Sequence, residues 1–557
     1  MSDFYGIIGK ENFDKTKLLA FNGKLYNCDE DALLRLYKEQ GAGMLSNLQG
    51  SFAFVIWDAE KDAHFIARDF FGVKPLYYAQ VGDSFLFGGD VKNILKHPDF
   101  VAKLNEEALA QYLSFQYNPL AETFFEGVYK LPPGHYLTYK DGEVQLERYF
   151  TPRFKPSDMS LDAATKSINE AVDETLKTHI SDMTDNEDSD FEIGTFLSGG
   201  VDSSLVAARF AQFGGKRCFT VGFDHDRYNE IAYAKELANE IGLEHHTKTI
   251  TAEEYWDVLP KVQYHMDEPL ADPAAVALYF ACEEASKHVK AALSGEGADE
   301  FFGGYNIYQE PLDLKILTVL PMPIRRLLGR IASIIPFNIK GKNFLIRGSK
   351  TVEERFIGGA NIFSKQERGQ ILLNDKGTTP QEICAPIYKE ARNQDDITKM
   401  QLLDIQMWMV GDILQKADKM SKAHGLELRS PLLDKKIFEL ASQIPTELRV
   451  NKSGTKYAFR RSAAKHLPES WAKRKKLGFP IPTRIWLREE KYYNIVLSHF
   501  TGEVAQKYFH TEALVKLLED HRSQKADNSR KIWTVFMFLI WHKEFFQEDQ
   551  DDDQQFS

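Results

Sequence analysis

Two periodicities divide the chain. Up to about residue 150, short runs rich in β-branched and aromatic residues are broken by turn residues, as in GSFAFVIWDAEKDAHFIARD (50–69) and PLYYAQVGDSFLFGGD (75–90). This predicts hairpins of an antiparallel domain. TPRFKPSDMSLD (151–162), with two prolines and two serines, precedes the helical pattern AATKSINEAVDETLKTHI and is the expected linker. Beyond it, apolar strands alternate with amphipathic helices: EIGTFLS, SLVAARFAQF, RCFTVGF, NEIAYAKELANEIG, HHTKTI, a further helix, then VKAALSG. That order predicts βαβ units and a parallel sheet, with ligands at the carboxyl ends of the strands. From about residue 300 the pattern is mostly helical, and it closes on the acidic stretch EDQDDDQQFS. The expected class is therefore α/β, with an antiparallel domain over 1–150 and a parallel-sheet, helix-rich domain over 151–557.

Composition narrows the partners. The 557 residues are 43% hydrophobic and 27% charged, with a formal net charge of −12, so a generic nucleic-acid binder, which needs cationic surface, is excluded. Cys28, Cys218, Cys282 and Cys384 are scattered without CxxC spacing, and neither a zinc site nor a disulfide framework is expected. The start MSDFYGIIGK lacks a signal-peptide pattern, and no run of eighteen apolar residues occurs. A cytoplasmic enzyme with a small-molecule partner is expected.

The chemistry concentrates in FLSGGVDSS (196–204). Glycines between a strand and a helix allow a tight turn, and exposed N–H groups with the helix dipole bind anions. Asp202 inside such a cradle repels phosphate unless a cation bridges the two. A second glycine-acid stretch, LSGEGADEFFGGY (293–305), ends the strand VKAA, so two loops are expected to face one ligand. No G-x-x-x-x-G-K-[ST] is present, and GEGADE has Glu300 where a dinucleotide motif needs its third glycine.

SGGVDSS resembles the pyrophosphate loop of the ATP-pyrophosphatase superfamily, and LSGEGADEFFGGY resembles its asparagine synthetase branch. SFAFVIWD, ARDFFGVKPLYY, ADPAA, ILQKADKMSKAHGLELRSPLLD, GTKYAFRR and RKKLGFPIP also resemble that family, in the expected order and across nearly the whole chain. The resemblance implies ATP-dependent conversion of a carboxylate to an amide through an acyl-adenylate, most simply aspartate to asparagine, with release of AMP and pyrophosphate. It assigns Leu197, Val221, Ser294 and Gly295 to the adenine and ribose pocket. Ser198, Gly199, Gly200, Asp202, Ser203 and Ser204 form the implied pyrophosphate loop, with Asp202 and Asp299 as carboxylates for Mg²⁺. Glu296 matches the glutamate that serves the attack of ammonia, and Lys476 the lysine at the phosphate. Lys416, Asp418 and Arg429, with Lys419 and Asp434, form an alternating charge pattern; they and the pair Asp267 and Glu268 are candidates for substrate binding or, equally, for an ion-pair network.

Two other acceptors stay open: a peptidoglycan-precursor diaminopimelate or D-aspartate, or an internal amine as in β-lactam synthetases, whose loop carries tyrosine in place of Glu296. The basic stretch PMPIRRLLGRIASIIPFNIKGKNFLIRG (321–348) reads first as a core-packing helix and second as a peripheral membrane contact. At the N-terminus, related glutaminase domains begin Met-Cys-Gly-Ile, whereas Tyr5 here precedes Gly6-Ile7 and Ser2 is the other conceivable nucleophile. Asn22 and Gly23 resemble the oxyanion-hole pair, and Asp29 a remnant of glutamine binding. The expectation is a shortened glutaminase-like domain of the Ntn type without activity, with free ammonia or a separate glutaminase subunit as nitrogen source. A homodimer is also admitted.

Overall fold

The computed structural model describes residues 4–8, 15–184, 193–225, 228–335, 339, 341–474 and 481–546. The N-terminal part is two antiparallel sheets. One is ordered β1-β6-β5-β7 (Tyr5–Ile8, Ser84–Gly88, Tyr77–Val81, Val128–Lys130), the other β2-β3-β4-β8-β9 (Lys17–Leu25, Gly50–Asp58, Ala63–Arg68, His135–Lys140, Glu143–Arg148). The run SFAFVIWD is apolar on both faces because β3 is covered on both. Ala53 and Val55 join Phe85, Phe87 and Leu137 between the sheets. Phe52, Phe54 and Ile56 point the other way, into a core shared with the helix Glu30–Gln40 and the C-terminal part.

The C-terminal part is built on a parallel sheet ordered β12-β11-β10-β13-β14 (Glu244–Ile250, Arg217–Phe223, Ile193–Phe196, Ala291–Leu293, Glu427–Arg429). From β10 the chain steps outward through β11 to β12, then returns to β13 on the other side of β10. The crevice beyond the carboxyl ends of β10 and β13 is therefore a switch point of the strand order, where a parallel sheet opens a ligand site. The fifth strand, β14, was not expected; three residues inside a helical stretch give too short a pattern to register.

The expected linker is extended but not loose. Phe154 is buried against Phe438, and the Lys155 and Ser157 N–H groups donate to Ser442 and Gln443 carbonyls at 2.9 Å. Among the described residues no helix is long and apolar enough to cross a membrane.

Candidate active site

A cavity of about 330 Å³ occupies the switch point. FLSGGVDSS folds there as expected for an anion loop: β10 ends at Phe196, and the helix Val201–Gln212 begins directly after Gly200. The loop is held from within. Ser203 Oγ lies 2.8 Å from Ser198 Oγ and accepts from the Ser198 N–H at 3.1 Å, while the Gly200 N–H donates to Ser198 Oγ at 3.2 Å.

The second loop packs directly onto the first. A Cβ on Gly295 would stand 2.7 Å from the Ser203 nitrogen, so only glycine allows the two backbones to meet. A Cβ on Gly199 would in turn collide with the Arg474 guanidinium, which donates to the Gly199 carbonyl at 3.0 Å and to Glu230 at 3.2 Å. Leu197, Ser198, Gly199, Gly200, Asp202, Ser203, Val221, Ser294, Gly295, Glu296 and Asp299 all line the cavity. Ser204 does not: it is fully buried one residue further along the helix, and its hydroxyl has no partner among the described residues. Lys476 lies outside the described residues.

Asp202 and Asp299 converge. Their Oδ1 atoms lie 2.6 and 2.7 Å from one atom, the Lys456 Nζ, which is buried and belongs to a residue with φ of 53°. The ammonium stands where a cation bridging the two carboxylates would be held. Asp202 and Asp299 are hard oxygen donors of the kind that would hold Mg²⁺.

Glu296 lines the cavity from the second loop. Burial raises its carboxyl to about 7, against the opposing pull of the Lys416 charge and of a hydrogen bond from Ser294. Ser294 Oγ donates to Glu296 Oε2 at 3.3 Å, and Ser294 and Ser430 hydroxyls lie 3.0 Å apart. Lys416 enters the cavity from the helix Leu414–Lys422, which follows a π-helical turn at Met409–Ile413; such turns recur at functional sites. Burial works against its charge, but Asp272 at 2.5 Å and Asp412 at 2.6 Å outweigh it and hold the ammonium ionised.

A model of this family's sequence, "Asparagine synthase", matches residues 175–543, and a "Glutamine amidotransferase domain" matches 19–150. The asparagine synthetase [glutamine-hydrolyzing] 1 of Bacillus subtilis is 40% identical over 553 residues, covering 95% of this chain and 86% of the relative. The chain belongs to the asparagine synthase family. A second relative, asparagine synthetase [glutamine-hydrolyzing] 3 of the same organism, is 26% identical over 84% of this chain and 75% of its own. The amidase chyE of Penicillium rubens is 27% identical over 85% and 72%. Asparagine synthetases are ligases that use ATP, and the α/β class expected from the sequence is the class observed.

Of the seven substrate candidates only Lys416 lines the cavity at the switch point. Asp267, fully buried, accepts from Lys419 at 2.6 Å, from Lys92 at 2.7 Å and from the Val91 N–H at 2.9 Å. Glu268 pairs with Lys130 at 3.1 Å and Asn118 at 2.7 Å, and Asp418 with Lys74 at 3.0 Å. All three bind N-terminal residues across the interface, which is the ion-pair alternative. Arg429 donates to Glu427 at 2.8 Å and to the His179 carbonyl.

Arg429 lines a separate cavity of about 230 Å³ that also contains Asn22 and Gly23. Gly23 is required there, since with φ of 127° its Cβ would meet the Ser51 carbonyl at 2.1 Å. Asp29 does not reach this cavity; it caps the helix Glu30–Gln40, accepting from the Ala32 N–H at 2.7 Å. Tyr5 begins the paired strand β1, and Ser2 lies outside the described residues. The sequence reading missed Lys456, Glu230, Arg474, Asp272, Asp412 and Ser430. All but Asp412 stand in quoted segments, NEIAYAKELANEIG, ADPAA, ILQKADKMSKAHGLELRSPLLD, GTKYAFRR and RKKLGFPIP, but nothing in local spacing shows which side chains reach the cleft.

Proposed function

We propose that this chain amidates aspartate to asparagine in the cavity at the switch point, using ATP and Mg²⁺, with ammonia supplied free or by a partner. The reading is carried by the meeting of the two glycine loops at Gly295 and Ser203, which sets Glu296 beside the pyrophosphate loop. Leu197, Val221, Ser294 and Gly295 hold the nucleoside, and the Ser198–Ser203 loop holds the β- and γ-phosphates. Asp202 and Asp299 would hold a magnesium ion, which would supply charge neutralisation on the phosphates. Lys416 and Lys456 bring fixed positive charge to the same space.

The substrate carboxylate oxygen attacks the α-phosphorus; a C–O–P linkage forms, the α–β bridge breaks, and pyrophosphate leaves. Ammonia then adds to the acyl carbon, the C–O bond to AMP breaks, and the nitrogen sheds a proton. Glu296 accepts that proton, a role for which a carboxyl group near neutrality is suited. Tyr5, which precedes Gly6-Ile7, carries a phenol and not a thiol, which favours ammonia over glutamine as the nitrogen source.

Protein incubated with ATP, Mg²⁺, aspartate and ¹⁵N-ammonium is expected to release AMP and pyrophosphate in equal amounts and to form labelled asparagine. ADP with phosphate would sink the reading. Pyrophosphate release with diaminopimelate or D-aspartate, but not with L-aspartate, would move the acceptor to the cell wall. Glutamate formed from glutamine would restore the N-terminal domain to catalysis.

A further inference from the structure

The helix Met322–Ile334 presents an apolar face to solvent. Its Gly329 and Ala332 side is buried on the following helix Lys342–Gly348: a Cβ on Gly329 would meet Ser349 Oγ at 2.1 Å, and Arg325 donates to the Gly348 carbonyl at 3.2 Å. The side away from that contact carries Ile324, Leu327, Ile331 and Ile334, exposed by 47, 58, 53 and 80%. Ile316 and Val319 on the preceding turn and Ile339 beyond the helix are exposed as well, so seven of the fifteen exposed large hydrophobics among the described residues fall within 316–339. This is a concentrated patch rather than the scatter normal on a surface. It also corrects the reading of this stretch as a core-packing helix.

The segment that carries the patch is basic in an acidic protein, with the exposed Glu354 beside Arg326 at 3.1 Å as the neighbouring acid. Between Lys315 and Lys350 there is no acidic residue, in a chain of net charge −12. At 100° per residue, Arg326 and Arg330 fall beside the apolar stripe, on the side of Leu327 and Ile334, and both are exposed. A second copy meeting this face about a two-fold axis would set basic flank near basic flank, which is unfavourable. An anionic lipid surface satisfies both features: side chains of the stripe enter the acyl boundary while the arginines reach headgroup phosphates.

We propose that Ile324, Leu327, Ile331 and Ile334, flanked by Arg326 and Arg330, form a docking surface for an anionic lipid bilayer. Ion pairs link the helix beneath this surface to the flank of the site. Glu310, five residues after Tyr305 of the cavity, pairs with Arg347 of the second helix and with Arg355 at 2.8 Å. Docking therefore fixes the orientation of the cavity relative to the bilayer.

The full chain is tested by co-sedimentation with vesicles of phosphatidylcholine alone and of phosphatidylcholine with 30% phosphatidylglycerol, at low and high salt. Binding at least tenfold stronger to the anionic vesicles, and weakened by salt, is expected. Leu327→Ser with Ile331→Ser should lower it tenfold or more. Arg326→Gln with Arg330→Gln should lower it severalfold and flatten the salt dependence. Both variants alter exposed residues outside the cavity, so pyrophosphate release in solution should be unchanged, which also verifies folding. Equal binding to both vesicle types, no binding to either, or wild-type binding by the Leu327/Ile331 variant overturns the proposal. So does sedimentation velocity showing that this variant dissociates a dimer while vesicle binding is absent.

Discussion

Glu296 and Lys456 illustrate opposite solutions to placing charge in a confined cleft. Burial lifts the Glu296 carboxyl to about 7, above the ordinary value in an unfolded chain, so the folded state binds its proton more tightly. Its stabilising contribution is then complete at acid pH and is lost as pH rises through about 7. Glu296→Gln should accordingly gain stability relative to the parent above pH 7, read as a melting-temperature gap that closes at pH 5. The same substitution should slow amide formation from ammonia by on the order of a hundredfold and remove the limb of its pH profile near 7, while adenylation persists. Lys456 is charged between two carboxylates, and Lys456→Met leaves them facing each other. A loss of about 3 kcal/mol is expected from uncompensated buried charge. Added Mg²⁺ should recover part of it in a thermal-shift measurement; no recovery would argue against a metal at Asp202 and Asp299.

At the scale of elements, one helix shows how much the sequence discloses. Within Leu414–Lys422, Lys416 lines the cavity while Lys419 and Asp418 meet the N-terminal part. Lys419, 1% exposed, lies 2.5 Å from Asp90 and 2.6 Å from Asp267. Lys419→Met should destabilise the protein by about 3 kcal/mol, because Asp90 and Asp267 lose the buried charge between them and keep only the less buried Lys422 and Lys92. Denaturant unfolding followed by tryptophan fluorescence measures it; a change under 1 kcal/mol would mean the carboxylates take up protons or water instead. The charge alternation of this helix was legible, but its division between two partners was not, since that depends on elements more than a hundred residues away. The glycine loops were legible because strand, turn and helix follow one another locally. Asp29 shows the converse: a helix cap and a ligand-binding carboxylate look alike in one dimension.

Across the whole molecule, the two parts are joined by charges that neither can leave uncovered. Lys74, Asp90, Lys92 and Lys130 on one side meet Asp418, Lys419, Asp267 and Glu268 on the other. Phe71 completes the contact in an aromatic cluster with Phe301 and Phe438. The fold class, the parallel sheet and the cleft loops follow from patterns that each part carries alone; the interface follows from neither. Such an interface acts as a ratchet on descent. Single substitutions in the N-terminal part can accumulate one by one, but deleting that part in a single step would take Asp90, Lys92 and Lys130 from Lys419, Asp267 and Glu268 together. Any change that this part tolerates must therefore leave Lys74, Asp90, Lys92 and Lys130 in place.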